Sequence, residues 1–304
     1  MTLLLDAGAT AARLPYLPLV REIRELLMDA SVSVPERLVQ PLAGSGSLFV
    51  MPAMDRRIAI AKLITFTPGN ARTGLPAIQG DVVVFDVKSG ARTLILHGPT
   101  VTARRTAAVS LLAAQHLAPA TKGPLLIVGA GAQGRAHLEA FAEGLGVREV
   151  FIASRGAAGA LALAAHARTL GLCAKVVDDP DAALADCPLA VTCTPAKSVV
   201  LQALPRDDAF IAAVGAFTPD MLELGPQLCR HCASRGSVIV DTPQAAHEAG
   251  DLLQAGLDVA GFPTLRERVA APPHHPKPGP VLFKSCGWAG WDLAAARLAA
   301  ATPA

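Results

Sequence analysis

The stretch PLLIVGAGAQGRAHLEAF at residues 124–141 decides the fold of this chain. Residues 125–128 form a continuous apolar run that is too short for a helix and ends at a glycine, so they predict a strand buried on both faces. An alanine-rich segment at 136–145 then predicts a helix, and residues 149–153 predict a second buried strand. Strand, turn, helix and strand in this order predict a Rossmann-type doubly wound α/β domain.

The turn between the first strand and the helix carries the spacing G-x-G-x-x-G at Gly129, Gly131 and Gly134. Gly129 permits the tight turn, Gly131 lets the backbone approach a pyrophosphate, and Gly134 lets the helix pack closely on the strand. With Ala132 and Gln133 these residues form the start of the helix, whose free N–H groups and positive dipole end attract anions. The turn therefore predicts a dinucleotide site.

The end of the second strand indicates which dinucleotide binds. NAD sites usually place a carboxylate about twenty residues after the glycines, where it accepts from a ribose hydroxyl. Here that position is Ser154, and Arg155 follows it. A hydroxyl and a guanidinium suit a 2′-phosphate, so we expect NADP, with NAD as the second choice. The alternative is that Arg155 is a solvated loop charge.

The composition indicates a globular protein of two domains. The chain has 304 residues, of which 52% are hydrophobic and 17% charged, and its formal net charge is +2. This small excess argues against a nucleic-acid partner, which needs clustered Lys and Arg. No apolar run approaches the roughly 18 residues that span a bilayer, and the first residues carry no secretory signal, so we expect no membrane partner.

The cysteines and one histidine pair leave alternatives open. Six cysteines lie in the second half of the chain, too sparse for a disulfide scaffold, which predicts a reducing cytoplasm. Cys229 and Cys232 have the spacing of a redox or zinc half-site, but no second pair accompanies them, so buried helical thiols are favoured. His274 and His275 lie among prolines, where a surface turn is favoured over a metal site. No metal is expected.

The region before the glycine turn predicts a separate domain with an antiparallel sheet. A helix with one apolar face is predicted over residues 15–28. Short apolar runs then predict strands at 47–54, 58–66, 80–87 and 91–98, the last two joined by a hairpin turn at 88–90. Residues 99–117 predict a helix that leads into the nucleotide domain.

Two basic residues of this region stand in apolar surroundings. Lys62 lies within the predicted strand IAIAKLITF, where burying a charge is costly unless it meets an anion or its pKa shifts. Arg105 lies near the start of the apolar helix, where the helix dipole disfavours a cation unless it binds a ligand. Both residues are candidates for holding an anionic substrate, and structural ion pairs are the alternative.

Taken together, these motifs resemble the ornithine cyclodeaminase/mu-crystallin family over nearly the whole chain. The segments that carry the resemblance are Met51-Pro52, TFTPGNARTGLPAIQG after Lys62, GPTVTARRTAA, GAGAQG, AVGAFTPDMLEL, VIVDTPQAAHEAGD and FKSCGWAGWDLAAA.

The resemblance implies a homodimer and a discontinuous first domain. We expect a substrate-binding and dimerisation domain at residues 1–117 and 279–304, and an NAD(P)-binding domain at 118–278. The proline-rich segment at 271–280 is the expected return linker, because prolines continue neither a helix nor a central strand.

The same resemblance assigns roles to individual side chains. Lys62 and Arg105 are similar to the residues that hold the substrate carboxylate, and Met51 and Arg37 are expected to line that pocket. Asp292 resembles a residue beside the cofactor.

One departure from the family pattern bears on the reaction. Ornithine cyclodeaminases resemble one another in having an Asp that contacts the substrate amine. In this chain the corresponding residue is Phe217. An apolar ring neither pairs an ammonium nor transfers a proton. Asp220, three residues away, is the alternative carboxylate.

We therefore expect the reductase branch of the family, in which NAD(P)H reduces a cyclic imine of a 2-oxo acid, with Phe217 packed on the substrate ring. The expected substrates are Δ1-pyrroline-2-carboxylate and Δ1-piperideine-2-carboxylate. The alternatives are an ornithine cyclodeaminase, an NAD(P)-dependent amino-acid dehydrogenase and a non-catalytic binding protein of the mu-crystallin type.

Overall fold

The computed structural model describes residues 2–43, 46–271 and 278–301, and the histidine pair and most of the expected return linker lie outside these ranges. The chain forms two compact units. The first unit contains Met1–Val109 and Trp288–Ala304, and the second contains Ser110–Gly287. None of the helices in the described ranges combines the length and the apolar character that a bilayer crossing requires.

Both units combine helices with strands. The first unit begins with β1 (Leu3–Leu4), α1 (Ala7–Ala12), α2 (Tyr16–Met28), β2 (Leu38–Leu42), β3 (Gly46–Met54), β4 (Ile58–Phe66), β5 (Ile78–Asp86), β6 (Arg92–His97) and α3 (Gly98–Leu117), which continues into the second unit. The second unit continues with β7 (Leu125–Val128), α4 (Ala132–Leu145), β8 (Glu149–Ala153), α5 (Ala157–Thr169), β9 (Cys173–Val176), α6 (Pro180–Leu184), β10 (Leu189–Thr192), β11 (Lys197–Leu201), β12 (Phe210–Ala213), β13 (Leu222–Leu224), α7 (Pro226–Arg235), β14 (Ser237–Val240), α8 (Ala245–Glu248), α9 (Gly250–Gln254), α10 (Leu265–Ala270) and β15 (Val281–Lys284). The last helix, α11 (Ala289–Ala301), belongs to the first unit.

The first unit is built on a six-stranded sheet in the order β1-β6-β5-β4-β3-β2, antiparallel except for β1 with β6. Side chains alternate between the two faces of a strand. In β4 the residues Ile60, Lys62 and Ile64 are buried, while Leu63 points to the other face and is 43% exposed. Helix α11 packs against β3 and β4, so the buried face lies beneath it.

An ionic cluster fastens α11 to the rest of the first unit. The guanidinium of Arg297 donates to Asp55 at 2.5 Å and to Asp29 at 2.6 Å. Hydrogen bonds from Ser31 and Arg297 lower the pKa of Asp29 to about 2. Removing one partner of such a group leaves an uncompensated charge, which is why buried pairs are costly to break.

The second unit contains a seven-stranded parallel sheet in the order β14-β15-β12-β10-β7-β8-β9. Strands β8 and β9 follow β7 on one side of it in the sheet, and β10 pairs with β7 on its other side. The carboxyl ends of β7 and β10 therefore flank a topological switch point, where open α/β sheets bind their ligands. The predicted strands at 125–128 and 149–153 are confirmed with these bounds.

The observed boundaries differ from the expected ones at two places. Helix α3 is continuous, and the change of unit falls inside it, between Val109 and Ser110, eight residues before the expected boundary. Residues 281–284, expected in the first domain, instead form β15 between β12 and β14. All four residues of β15 are buried, as a central parallel strand requires.

Candidate functional site

Lys62 occupies the middle of the buried face of the first sheet. Its side chain is 1% exposed, and the antiparallel register places Met51 directly opposite it on β3. Met51 is likewise buried, at 4% exposure. An ammonium group in this position needs an anionic partner, because burial penalises the charged form.

Asp292 supplies that partner from the first turn of α11. Its Oδ1 atom accepts a hydrogen bond from Nζ of Lys62 at 2.9 Å and lies 3.3 Å from Nε of Arg105. The Asp292 side chain is fully buried, and its Oδ2 atom has no hydrogen-bond partner among the described residues. A carboxylate in the first turn is also favoured by the helix dipole.

The start of α11 is held in place by packing. A Cβ atom on Gly290 would lie 2.1 Å from the ring of Trp288, so the position requires glycine. The rings of Trp288 and Trp291 meet edge to face, with 4.8 Å between their centroids. The turn that carries Asp292 is therefore fixed by an aromatic pair.

The neighbouring arginines on α3 have different surroundings. Arg105 is 6% exposed and bonds to Asp292. Arg104 instead donates to the carbonyl of Leu14 at 3.0 Å and lies over the ring of Tyr16, 4.6 Å from its centroid. Arg105 belongs to the buried cluster with Lys62, and Arg104 belongs to the packing of α1 and α2.

Arg37 completes the basic surroundings of Lys62. It is half-buried, its guanidinium lies 5.8 Å from the ring centroid of Phe49, and its charge lowers the pKa of Lys62. The structure thus brings together Lys62, Arg105, Met51 and Arg37 from separate parts of the sequence. Asp292, assigned from the sequence to the cofactor, makes its hydrogen bonds within this same cluster.

The glycine turn of the second unit has the geometry that its pattern predicts. Gly129 adopts φ 117°, a value that other residues rarely adopt, and a Cβ on Gly134 would lie 2.0 Å from the Gly129 carbonyl oxygen. Gly131 is the N-cap residue of α4, is exposed, and has open space where a Cβ would stand. Ala132 and Gln133 form the first positions of α4.

These residues fit the pyrophosphate of a dinucleotide. The N-terminus of the 14-residue helix α4 presents backbone N–H groups at an exposed glycine beside the switch point. Ser154 is half-buried and Arg155 exposed immediately after β8, the neighbouring strand. When bound, NAD(P)H would supply a hydride equivalent, and the glycine turn with Ser154 and Arg155 would hold it.

A buried network in the second unit was not predicted from the sequence. Lys284 in β15 donates to Asp251 at 2.5 Å and to the carbonyl of Ala216 at 2.7 Å. Burial lowers the pKa of Lys284, but Asp251 and Glu223 outweigh this and raise it overall. The sequence did contain a signal for this network. Lys284 stands in the apolar run VLFK, where a buried lysine needs an anionic partner, as Lys62 does in β4.

Glu223 extends this network to two loops at the carboxyl ends of β10 and β12. Its carboxylate accepts from the backbone N–H of Thr194 and of Gly215, each at 2.6 Å. A Cβ on Gly215 would lie 2.1 Å from the Thr194 carbonyl oxygen, so the two loops touch and require glycine there. The network fixes the loop that carries Phe217.

Phe217 is half-buried and packs against the apolar core of the second unit. Asp220, the alternative carboxylate, is exposed; it pairs with Lys197 and accepts from the hydroxyl of Thr218 at 2.6 Å. These hydrogen bonds, with that of Lys197 the largest cause, lower the pKa of Asp220. Asp220 is therefore an ionised surface carboxylate with its own partners.

The expectation of buried helical thiols is confirmed. Cys229 and Cys232 both lie on α7, are fully buried and form no disulfide. Burial raises the pKa of Cys232 to about 12, so it stays protonated.

Comparison with known proteins places these features in a family. Residues 24–300 match the model of the ornithine cyclodeaminase/mu-crystallin family. The chain is 36% identical to Delta(1)-pyrroline-2-carboxylate reductase 2 of Burkholderia ambifaria, over 97% of this chain and 94% of that protein. It is 35% identical to ketimine reductase mu-crystallin of Mus musculus, over 89% of this chain and 85% of the relative.

A solved structure shows the same fold. The Delta(1)-pyrroline-2-carboxylate reductase of Thermococcus litoralis, solved with NADH and L-proline, superposes with a TM-score of 0.90. It is 24% identical, and the match covers 98% of this chain and 96% of that one. By sequence match, fold and the order of its motifs, this chain belongs to the ornithine cyclodeaminase/mu-crystallin family.

Proposed function

We propose that this protein reduces a cyclic imine of a 2-oxo acid with NAD(P)H, taking Δ1-pyrroline-2-carboxylate or Δ1-piperideine-2-carboxylate to the cyclic amino acid. The observation that carries the proposal is the buried cluster of Lys62, Arg105 and Asp292, in a chain whose relatives are named as reductases of this substrate class.

The first unit supplies the substrate side of the reaction. Arg105 binds the substrate carboxylate, since a guanidinium offers several donors in one plane. Lys62 lies beside it and contacts the same end of the substrate. Met51 and Arg37 line the site, one as an apolar wall and the other as a further positive charge.

The second unit supplies the coenzyme side. Gly129, Gly131, Ala132, Gln133 and Gly134 hold the pyrophosphate through the turn and the start of α4. We propose NADP as the coenzyme, because Ser154 and Arg155 follow β8 and no carboxylate stands at that position. NAD remains the second choice, and the relative from Thermococcus litoralis contains NADH.

The loop after β12 argues against ornithine cyclisation. At the position where an ornithine cyclodeaminase is expected to have a carboxylate, this loop has Phe217, which packs on the apolar core. Asp220 is exposed and paired with Lys197, so it does not replace that group. Phe217 instead provides an apolar surface for the substrate ring.

We further propose a homodimer formed through the outer face of the first sheet. On this face Pro52, Ala61 and Val83 lie side by side in the register of β3, β4 and β5 and are half-buried, and Leu63 is 43% exposed. An apolar sheet face of this kind is typical of an interface. We propose a cytoplasmic location, since all six cysteines are free.

The dimer is tested by mass measurement in solution. Leu63→Glu places a charge on the outer face without changing the Lys62 face, so we expect a monomer. Leu161→Glu, at an exposed position of α5, is the matched control and should leave the mass unchanged. A monomeric wild type at micromolar concentration would contradict the proposal.

The reaction is tested by identifying its product. Wild-type protein is incubated with Δ1-pyrroline-2-carboxylate and NADPH, and proline is quantified against the NADPH consumed. We expect one proline for each NADPH. Coenzyme oxidation without proline, or no reaction with either imine or either coenzyme, would refute the function.

A further inference from the structure

Lys62 lies inside a cluster of charges that can set its protonation state. Asp292 faces it from α11, Arg105 from α3 and Arg37 from the segment before β2. We propose that Lys62 is the acid that delivers a proton to the nitrogen of the substrate imine, and that Asp292 is the positioning residue that keeps Lys62 protonated. The proposal rests on the proposed function and assigns its proton source.

The balance of effects on Lys62 supports this role. Burial is the largest effect and lowers the pKa of Lys62, the charges of Arg105 and Arg37 also lower it, and the net pKa after all effects is about 8. Asp292 opposes them through its charge and its hydrogen bond. A general acid works best when its pKa lies near the working pH, and an ordinary lysine, near 10.5, holds its proton too tightly.

The geometry of Asp292 fits a role in positioning Lys62. Its Oδ1 atom pairs with both Lys62 and Arg105, at 2.9 and 3.3 Å, so a single oxygen fixes the two cations relative to each other. Its Oδ2 atom is buried and has no partner among the described residues. A buried carboxylate oxygen without a partner is rare and costly, which indicates that the cluster is completed by another group that brings a hydrogen.

This arrangement favours a particular substrate class. In a cyclic imine of a 2-oxo acid, the carboxylate and the nitrogen are attached to the same carbon. A cation for the carboxylate and an acid for the nitrogen must therefore stand side by side, as Arg105 and Lys62 do on either side of Asp292.

The proton and the hydride equivalent reach different atoms of the imine. The lone pair of the imine nitrogen takes a proton from Nζ of Lys62, which forms the N–H bond and leaves Lys62 neutral beside Asp292. When bound, NAD(P)H would supply the hydride equivalent for the new C–H bond, and the π electrons of the C=N bond would become the lone pair of the amine. Lys62 then regains a proton from solvent.

Asp292→Asn tests the positioning role, because it keeps the shape and removes the charge. Without the carboxylate the pKa of Lys62 falls, so we expect the alkaline limb of kcat/KM to move to lower pH by about one unit or more. Activity lost near neutral pH should return on acidification. Asp292→Glu should restore part of the wild-type profile. A uniform loss at every pH, with the limb unmoved, would overturn the proposal.

A second measurement does not depend on turnover. The side-chain nitrogen of Lys62 is titrated by NMR in lysine-labelled protein, and its signal is assigned by its absence in Lys62→Arg. In the wild type we expect a titration near pH 8 that coincides with the alkaline limb, and in Asp292→Asn a lower value. A wild-type titration that departs from the limb would overturn the proposal even if Asp292→Asn does not fold. Imine reduction with no link to Lys62 would leave the proposed function standing, whereas an absence of imine reduction would end both.

Discussion

Lys62 and Asp292 are 230 positions apart in the sequence, and their side chains meet at 2.9 Å in the interior of the first unit. The contact joins the middle of β4 to the first turn of α11. It places a cation and an anion where apolar side chains would otherwise pack, and the desolvation cost of such a pair is offset only by good geometry and further hydrogen bonds. The candidate site is built around this pair.

The two neighbouring arginines of α3 provide a direct test of the carboxylate clamp. Arg105→Met removes a buried donor, so we expect KM for the imine to rise about ten- to hundredfold, the range for a charged hydrogen bond. Arg104→Met is the matched control, since Arg104 bonds to Leu14 and stacks on Tyr16. Steady-state kinetics measure both. Equal effects from the two variants would contradict the assignment.

The two ends of β8 provide a test of coenzyme choice. Arg155→Asp, after the carboxyl end, should weaken NADPH binding about ten- to hundredfold through loss of a charge-assisted contact, and should affect NADH much less. Arg148→Asp, an exposed residue before the other end of the strand, should affect neither. Calorimetric titration measures each affinity. Equal losses for NADPH and NADH would contradict the NADP assignment.

Phe217→Asp tests the surface beside the substrate ring. A carboxylate placed against an apolar ring is poorly solvated, so we expect imine reduction to fall about tenfold or more, while Phe217→Leu retains most of it. A trace of ammonia release from ornithine is the expected gain, because the new carboxylate can pair an ammonium group. Unchanged imine reduction in Phe217→Asp would show that this side chain does not face the substrate.

The acid stability of the second unit tests the buried histidine of α4. His137 donates from Nδ1 to the carbonyl of Gln133 and accepts at Nε2 from Ser110, and burial lowers its pKa from 6.5 to about 4. Between these pH values the unfolded chain binds more protons, so stability falls as pH falls. The loss amounts to about 3 kcal/mol over this interval.

Denaturant unfolding at several pH values measures this effect. His137→Gln should show a shallower loss of stability between pH 6.5 and 4 than the wild type. His247→Gln, at an exposed position, should follow the wild type. Parallel pH curves for His137→Gln and the wild type would contradict the assignment of a neutral buried histidine.

Local patterns predicted much of the fold. The alternation in IAIAKLITF predicted β4 with its observed bounds, and the glycine spacing predicted the turn before α4. Both signals are local, since they depend on backbone conformation and on which face of a strand is buried.

Local sequence patterns did not predict the contacts between distant segments. Nothing local indicates that Asp292 meets Lys62, because that contact depends on how α11 returns to β4. The buried strand β15 was assigned to the wrong domain for a similar reason. An apolar run reveals that a strand is buried, but it does not reveal which sheet accepts it.

Imine reduction and ornithine cyclisation are distinguished by two rates measured in the wild type under one set of conditions. One is NADPH oxidation with Δ1-pyrroline-2-carboxylate, and the other is ammonia release from ornithine with NAD. We expect rapid imine reduction and no measurable ammonia release, because Phe217 stands where a carboxylate would be needed. Ammonia release at a rate comparable to imine reduction would contradict the assignment of this protein as an imine reductase.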